Sequence, residues 1–305
     1  MSKPAASLLV PCYNAASHLP RLWETIRAQT TPFQEIICYD DASPDRTSEV
    51  ARQLGARVIR GEVNHGPAHA RNTLWRAAAT DWVHFHDADD LLDPRFLEKM
   101  SARASQGADV VICNALWQME DTRKREMEWC YSEASLQAAP VSYLIQNPVG
   151  GINGYYRRAA LERIGGFNEQ LRTWEDADLH VRLAADGARY GVVEESLVIA
   201  LRHPKSISAD GTMRIECRAR LLEAYAQSLP AADHPAIAAE AENLAAWLLG
   251  ENLMPEIAAR CLAVCRQLNW AVPSSRHPVL RGLRPILPAA WLLRWQQRFR
   301  RQHSA

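Results

Sequence analysis

Short apolar runs alternate with segments of helical spacing along the first 116 residues, and this pattern limits the fold more than any other feature of the chain. A strand that is apolar throughout must be covered on both faces, as in a parallel sheet flanked by helices. The sequence therefore predicts an α/β fold with a Rossmann-like, mostly parallel sheet. Strands are expected at residues 7–11, 35–39, 57–60, 82–86 and 109–115, and helices between them at 18–29, 46–54 and 67–79.

The rest of the chain divides near residue 210. Residues 117–147 read as irregular, whereas helical spacing returns at 158–164 and 176–186 and strand spacing at 192–201. From residue 212 onward the pattern predicts only helices, separated by proline and glycine. We expect a domain over residues 1–210, with halves of about 1–116 and 117–210, and an all-helical C-terminal extension over residues 211–305, its helices at 212–228, 235–249, 255–269 and 286–300.

The composition is that of a soluble globular protein, with 48% apolar and 23% charged residues. The seven cysteines show neither disulfide nor metal spacing, and Cys261 and Cys265 are spaced for packing on one helix face. This usage is typical of a reducing compartment. With no signal peptide and no apolar run long enough to span a bilayer, the sequence predicts a cytoplasmic protein.

Three carboxylates, Asp87, Asp89 and Asp90, follow the apolar strand at residues 82–86. A buried strand that ends in acids presents them at the sheet edge where open α/β sheets bind ligands. Two carboxylates one residue apart can share a hard divalent cation, which in turn can hold a diphosphate. Acid pairs are also common in solvated loops, so this pattern alone does not decide between the two interpretations.

Other polar segments accompany these acids in a fixed order. Strand one leads into no Gly-x-Gly-x-x-Gly, so the dinucleotide fingerprint is absent and a nucleotide must be held otherwise. In order and spacing the segments resemble family 2 glycosyltransferases of the GT-A fold, over about residues 5–205, and the helical tail lies outside the resemblance. The segments are Val10-Pro11-Cys12-Tyr13-Asn14, residues 40–47, residues 64–72 with 85–90, and residues 165–169 with 174–178 and Arg182-Leu183.

The resemblance implies an inverting, metal-dependent transfer of a sugar from a nucleotide-diphosphate donor, with a UDP-sugar favoured, to a hydroxyl of a glycan or lipid-linked acceptor. Asp41 would accept a hydrogen bond from a base N–H; the alternative is a helix-capping aspartate, a task for which Asp45 is better placed. Arg71 could reach a phosphate, or be a solvated or core-bridging arginine. The donor-binding residues that the resemblance implies are Pro11, Tyr13, Asn14, Asp41, Arg71, Asp87 and Ala88.

The implied cofactor is Mn²⁺ or Mg²⁺, because hard divalent cations prefer oxygen ligands. The resemblance points to Asp89 as the direct ligand and to Asp87 as a contact of the ribose or of the metal's water shell. It also points to His203 as a further ligand or a diphosphate contact, although a surface histidine in a polar loop is the alternative. Asp90 could instead cap the turn that follows it.

Transfer to a hydroxyl with inversion needs one general base and, unlike glycoside hydrolysis, no second carboxyl as acid. The resemblance assigns the base to Asp176, at a helix start that would keep a carboxylate ionised. Glu175 and Asp178 would support or contact the acceptor, and Trp174 would stack on a sugar. The alternatives are acids that merely favour the first helical turn and a tryptophan packed in the core.

Ala42 departs from the family pattern, because glycine is usual at its place in the Asp-Asp-Gly-Ser turn. We therefore expect no positive φ at this residue. Residues 150–154 are rich in glycine and are a candidate acceptor-side loop.

Three other classes of protein compete with this interpretation. A phosphatase that forms a phosphoaspartate would need its aspartate on strand one, which ends in Val10-Pro11-Cys12-Tyr13-Asn14. A nucleotidyltransferase would need a glycine-rich basic loop there. A non-catalytic scaffold that binds nucleotide sugars remains the alternative, but the joint presence of Asp41, Asp87, Asp89 and Asp176 argues against it.

The tail carries a strong charge asymmetry. No Asp or Glu follows Glu256, whereas nine arginines do, so residues 1–256 hold nine more acidic than basic residues. Within residues 279–301, Trp291, Leu292, Trp295 and Phe299 can share one helical face, as in a helix lying on an anionic membrane. The alternative is a helix packed on the catalytic domain, and no nucleic-acid partner is expected.

Overall fold

The structure, a computed structural model, describes residues 5–202, 211–272 and 287–302, together with Leu283. The chain forms two compact units. The first comprises Met1–Pro140 and Asn147–Ala209, and the second comprises Val141–Gln146 and Asp210–Ala305. The short segment Val141–Gln146 thus belongs with the second unit. This differs from the prediction, in which the segment is part of the domain over residues 1–210.

The first unit is built on a mixed, mostly parallel sheet of nine strands within the described residues, and the predicted fold class is confirmed. Strands β3, β2, β1 and β4 run parallel; β8 lies antiparallel between β4 and β6, and β9 runs parallel to β6. The order is β3-β2-β1-β4-β8-β6-β9-β5, with β7 paired to β6. The strands are β1 (Ala6–Cys12), β2 (Glu35–Asp40), β3 (Arg57–Arg60), β4 (Trp82–Phe85), β5 (Leu91–Leu92), β6 (Val110–Met119), β7 (Arg125–Trp129), β8 (Gly154–Arg157) and β9 (Tyr190–Arg202).

Strand β1 lies at the centre of the parallel part and is covered on both faces, because Leu8, Leu9 and Val10 are all 0% exposed. Its neighbours are β2 and β4, both parallel to it. The carboxyl ends of the three strands therefore meet at one edge of the sheet, and the loops that follow them are brought together there.

Helices flank the sheet and make up the second unit. In α1, the predicted apolar face is buried through Leu19, Leu22, Trp23 and Ile26. The helices are α1 (Leu19–Arg27), α2 (Thr47–Gln53), α3 (Pro67–Ala77), α4 (Phe96–Ala104), α5 (Glu133–Ala138), α6 (Pro140–Gln146), α7 (Arg158–Arg163), α8 (Glu175–Ala185), α9 (Gly211–Ser228), α10 (His234–Glu251), α11 (Pro255–Gln267) and α12 (Ala289–Gln302).

The prediction that residues 117–147 are irregular is wrong. The segment holds the end of β6, the strand β7 and the helices α5 and α6. Strand β7 pairs with β6, and its first four residues, Arg-Glu-Met-Glu, are exposed. Such a strand carries little of the apolar alternation from which a strand is recognised.

In the second unit, helices α9 to α11 pack through small and apolar side chains. Ala241 and Ala245 of α10 are 0% exposed, and so is Cys265 of α11, whereas Cys261 is 1% exposed. The packing role expected for Cys261 and Cys265 is therefore confirmed. Among the described residues, no helix combines the length and the apolar character needed to cross a membrane.

Helix α12 packs on α10 within this unit. Leu292 and Leu293 are 0% exposed, whereas Trp291 is 60% and Trp295 is 36% exposed. The single apolar face predicted for this helix is thus divided, because Leu292 packs inside while the two tryptophans reach the surface. The side chain of Phe299 lies outside the described part of the chain.

Candidate active site

The loops after β1 and β2 are joined by hydrogen bonds at the carboxyl edge of the sheet. The amide of Asn14 donates to Oγ of Ser43 (3.0 Å), and that of Ala15 to Oγ1 of Thr47 (2.8 Å). Asn14 itself takes the left-handed conformation, with φ +52°. Beside it, the side chain of Tyr13 is half exposed, so this edge presents an open aromatic ring on a fixed loop.

Ala42 adopts φ +58°, and the expectation that it would avoid positive φ is wrong. Its amide donates to the carbonyl of Asp40 (2.9 Å), and the amide of Ser43 donates to Oδ1 of Asp40 (2.9 Å). These bonds close a turn that needs the left-handed conformation at Ala42. The conformation costs an L-residue about 1–2 kcal/mol, which the bonds of the turn offset.

Asp41 is buried and connects the end of β2 to the loop before α3. Its Oδ1 accepts from the amide of His65 (2.9 Å), and its Oδ2 accepts from the amide of Gly66 (2.7 Å). The task of capping near α2 falls to Asp45, whose Oδ1 accepts from the amide of Thr47 (3.0 Å). Because each carboxylate oxygen has two lone pairs, Asp41 retains the capacity to accept a further hydrogen bond.

The acids after β4 differ in their surroundings. Asp87 and Asp89 are half-buried, and the backbone carbonyl of Asp89 accepts from Nη2 of Arg21 (3.0 Å). Ala88 between them is buried. Asp90 is also buried, and its Oδ1 accepts from the amide of Leu201 in β9 (2.8 Å), so it ties this loop to β9. Burial, with the charges of Asp89 and Asp87, raises the pKa of Asp90 well above the ordinary value.

Arg71 in α3 connects the loop after β4 to the start of α8. Its side chain is only 5% exposed; Nη2 donates to Oδ1 of Asp87 (2.8 Å) and Nη1 donates to Oε1 of Glu175 (2.5 Å). The sequence leaves open a phosphate contact, a solvated arginine and a core-bridging arginine, and these contacts are those of a bridging arginine.

Helix α8 begins in a strained conformation. Trp174, which precedes it, has φ +68° and is half-buried. Non-glycine residues with such angles cost about 1–3 kcal/mol and cluster at functional sites. This strained residue directly precedes the two acids Glu175 and Asp176.

Glu175 and Asp176 occupy a site in which burial disfavours their charge. Burial raises the pKa of Glu175 to about 7, although Arg71 opposes this shift. Burial also raises the pKa of Asp176, while Arg71 and the amides of Ala177 and Gly151 lower it and Asp87 raises it. In its effect on the pKa of Asp176, burial therefore outweighs the groups that lower this pKa. A carboxyl group with a raised pKa is a better proton acceptor than a solvated one.

Asp178 lies one turn further along α8 and is buried. Its Oδ2 accepts from Nε of Arg182 (2.7 Å), and its amide donates to the carbonyl of Trp174 (2.9 Å). These contacts hold the side chain of Asp178 within the first turns of α8.

The donor set suits a hard divalent cation. Among the described residues, no group of three or more His, Cys, Asp or Glu side chains is placed to hold a metal ion, and His203 lies outside these residues. However, Mg²⁺ and similar ions are commonly held by one or two carboxylates together with substrate phosphates and water. The half-buried pair Asp87 and Asp89 offers that minimum, so these residues fit the implied cofactor.

Two sets of contacts in the site are not predicted from the sequence. The first is the pairing of Arg71 with Glu175, which are separated by 104 positions in the chain. The second is Asn72, whose Nδ2 donates to the carbonyl of Phe167 (2.9 Å) and to Oε1 of Glu169 (2.7 Å), so that α3 holds the segment before α8 in place. Spacing along the chain reveals neither contact, because both join segments that meet only in the folded sheet.

Comparison with known proteins places the chain in context. The model of the glycosyl transferase family 2 matches residues 7–165. The succinoglycan biosynthesis protein ExoO of Rhizobium meliloti is 30% identical over 62% of this chain and 58% of its own. The chain spans between 49% and 72% of the length of the first three curated relatives that it matches.

Two solved structures share the fold. The crystal structure of S. aureus TarS in complex with UDP-GlcNAc has a TM-score of 0.68 at 21% identity, covering 96% of this chain and 89% of that one. The mannosyltransferase PcManGT of Pyrobaculum calidifontis, in complex with GDP-Man and Mn²⁺, has a TM-score of 0.63 at 20% identity, covering 98% and 85%. At this identity the likeness shows the fold alone. The family model matches more than half of the chain, and the chain therefore belongs to glycosyl transferase family 2.

Proposed function

We propose that this protein transfers a sugar, with inversion, from a nucleotide-diphosphate donor to a hydroxyl of a glycan or lipid-linked acceptor, with Asp176 as the general base. One observation carries the proposal. Asp87 at the end of β4 and Glu175 at the start of α8 both contact the buried guanidinium of Arg71, and Asp176 lies within the influence of the same charge. A donor-side acid and the proposed base thereby belong to one site.

The nucleotide would lie over the carboxyl edge of β1, β2 and β4. Asp41 would accept from a base N–H, Tyr13 and Asn14 with Pro11 would line the base and ribose, and Asp87 with Ala88 would approach the ribose and diphosphate. A UDP-sugar is favoured because the family resemblance assigns Asp41 to the N–H of a uracil-like ring. In support, the TarS structure of the same fold is a complex with UDP-GlcNAc.

Asp89 and Asp87 would hold Mn²⁺ or Mg²⁺ together with oxygens of the donor diphosphate, and His203 is proposed as a further ligand. The bound cation would neutralise the charge that develops on the leaving diphosphate. The PcManGT structure, a complex with GDP-Man and Mn²⁺, supports this proposal.

In the chemical step, Asp176 accepts the proton of the acceptor hydroxyl. At the same time the hydroxyl oxygen of the acceptor forms a bond to the anomeric carbon. The bond from that carbon to the diphosphate oxygen breaks on the opposite face, and the electron pair leaves with the nucleoside diphosphate. Glu175 and Trp174 would orient the acceptor, and Asp178 would support them. A single base is enough, because the diphosphate needs no proton to leave.

Calorimetric titration of nucleoside diphosphates and their sugars, with and without Mn²⁺, tests the proposal. We expect binding that depends on Mn²⁺ and is tighter for a uridine donor than for a guanosine or thymidine donor. Binding of no nucleotide sugar under either condition would contradict the proposed function.

The acceptor side of the proposal extends to a membrane. Helix α12 presents Trp291 and Trp295 at the surface beside the exposed Arg294, and no acid follows Glu256. Tryptophans beside arginines suit the interface of an anionic bilayer, where each basic side chain is attracted by about 1 kcal/mol. We therefore propose that this protein acts at the cytoplasmic face of a membrane, close to a lipid-linked acceptor.

Sedimentation with liposomes tests the membrane surface. The double variant Trp291→Ser with Trp295→Ser is expected to lose most of the pelleting that the unchanged protein shows on anionic vesicles. Trp247→Ser, which alters an exposed tryptophan of α10 (44% exposed), is the matched control and should pellet as the unchanged protein does. The proposal would be contradicted if the double variant pelleted on anionic vesicles as much as the unchanged protein does. It would also be contradicted if the unchanged protein pelleted equally on neutral and anionic vesicles.

A further inference from the structure

The guanidinium group of Arg71 is surrounded by other groups on several sides. Its guanidinium lies 5.7 Å from the centre of the Phe167 ring, and a Cβ added to Gly151 would lie 3.1 Å from its Nη2. The backbone at Gly151 and the ring of Phe167 therefore enclose the group, while Asp87 and Glu175 each take one terminal nitrogen. A side chain with these neighbours has little freedom to turn toward a phosphate.

The side chains around Arg71 include more acidic groups than basic groups. Asp87 from the end of β4 and Glu175 and Asp176 from α8 all act on this one cation, and the phenol of Tyr156 in β8 also lies within its influence. Three carboxyl groups around one partly buried site repel one another, and this repulsion favours protonation or separation of the groups. A single buried cation between them lowers that repulsion and fixes the distance between the elements that carry them.

The contacts also connect the two sides of the proposed reaction. Asp87 lies one residue before Ala88 and two before Asp89, on the donor side, whereas Glu175 directly precedes the proposed base. Any displacement of the guanidinium would therefore move a donor-side acid and the start of α8 together. Misplacement of reacting groups by about 1 Å can cost on the order of a hundredfold in rate.

We propose that Arg71 is a positioning residue, which sets the donor-side acid Asp87 and the acid pair Glu175–Asp176 at their working separation and supplies the positive charge that these acids share. This proposal rests on the proposed function. It departs from the phosphate contact that the sequence suggests for Arg71, because the side chain acts through the acids.

Two substitutions separate the charge of Arg71 from its geometry. Arg71→Gln removes the charge, so turnover should fall by roughly ten- to a hundredfold and the acid limb of the kcat–pH profile should move to higher pH by about one unit or more. Arg71→Lys keeps the charge and loses the second contact, so turnover should fall while the acid limb stays in place. Because a general base must be deprotonated, loss of a neighbouring cation raises its pKa and activity then fails at a higher pH.

Two measurements do not depend on turnover. Thermal unfolding reports whether each variant folds, and calorimetry with UDP reports the donor side, where Arg71→Gln should weaken binding in the presence of Mn²⁺ and change metal-free binding little. The matched control is Arg76→Gln, an exposed arginine of the same helix that stacks on Trp75, and it should behave as the unchanged protein does.

A folded Arg71→Gln protein with an unchanged acid limb and unchanged UDP affinity would overturn the proposal. If that variant does not fold, Arg71→Lys decides: unchanged turnover overturns the positioning role, and reduced turnover with an unmoved acid limb supports it. A different result would contradict the proposed function itself, namely an Asp176→Asn protein that remains active.

Discussion

Replacement of Asp176 by Asn is expected to lower turnover by about two to four orders of magnitude, the usual effect of removing a general base. The amide keeps the size of the carboxyl group but cannot accept the proton of the acceptor hydroxyl. Because Asp176 makes no proposed contact with the nucleotide, donor affinity should change little. Release of nucleoside diphosphate from the donor measures the first effect, and calorimetry measures the second.

The matched control for this substitution is Asp186→Asn at the other end of α8, where the exposed carboxylate pairs with Arg163. It should keep normal turnover. An Asp176→Asn protein with near-normal turnover would place the base elsewhere, and Glu175 and Asp178 would be the next residues to test.

Replacement of Asp89 by Ala is expected to abolish the part of UDP binding that depends on Mn²⁺. Asp89 lies four residues after the end of β4 and offers a half-buried carboxylate, close in the chain to Asp87, which already pairs with Arg71. Without Asp89 the proposed pair of ligands would be reduced to Asp87, and one carboxylate is a poor holder of Mn²⁺ or Mg²⁺. Titration of UDP with and without Mn²⁺ measures the loss.

Asp81→Ala is the control for the metal prediction, because Asp81 is an exposed acid at the opposite end of the same strand. It should leave binding unchanged. Unchanged Mn²⁺-dependent affinity in a folded Asp89→Ala protein would refute the assignment of Asp89 as a metal ligand.

The sequence predicts the fold well where strands are apolar on both faces. The pattern around β1 and β2 predicts both strands to within one residue at each end, because Leu8, Leu9 and Val10 can be buried only inside a sheet. It fails at β7, where an exposed strand carries charges, at β5, which has only two residues, and at β8, which begins within the glycine-rich residues 150–154.

The conformation of Ala42 and the partners of Arg71 are set by tertiary structure. A preference of about 1–2 kcal/mol against the left-handed region predicts no positive φ at Ala42, but the hydrogen bonds of the turn with Asp40 prevail. Likewise, nothing near Arg71 in the chain indicates that Glu175, on a distant helix, will be its partner. Sequence patterns identify the side chains of this candidate site. The tertiary structure determines which of these side chains contact one another.

Real-time ¹H NMR of a UDP-sugar incubated with the protein and Mn²⁺ tests whether transfer inverts the anomeric carbon, because the anomeric proton reports the face on which the new bond forms. A site with a general base and no nucleophile attacks opposite the leaving diphosphate. An α-linked donor should therefore give the β anomer first, whether the sugar passes to an acceptor hydroxyl or, more slowly, to water. A first product that keeps the anomeric configuration of the donor would rule out inverting transfer, and the absence of turnover with every nucleotide sugar that binds would rule out transfer itself.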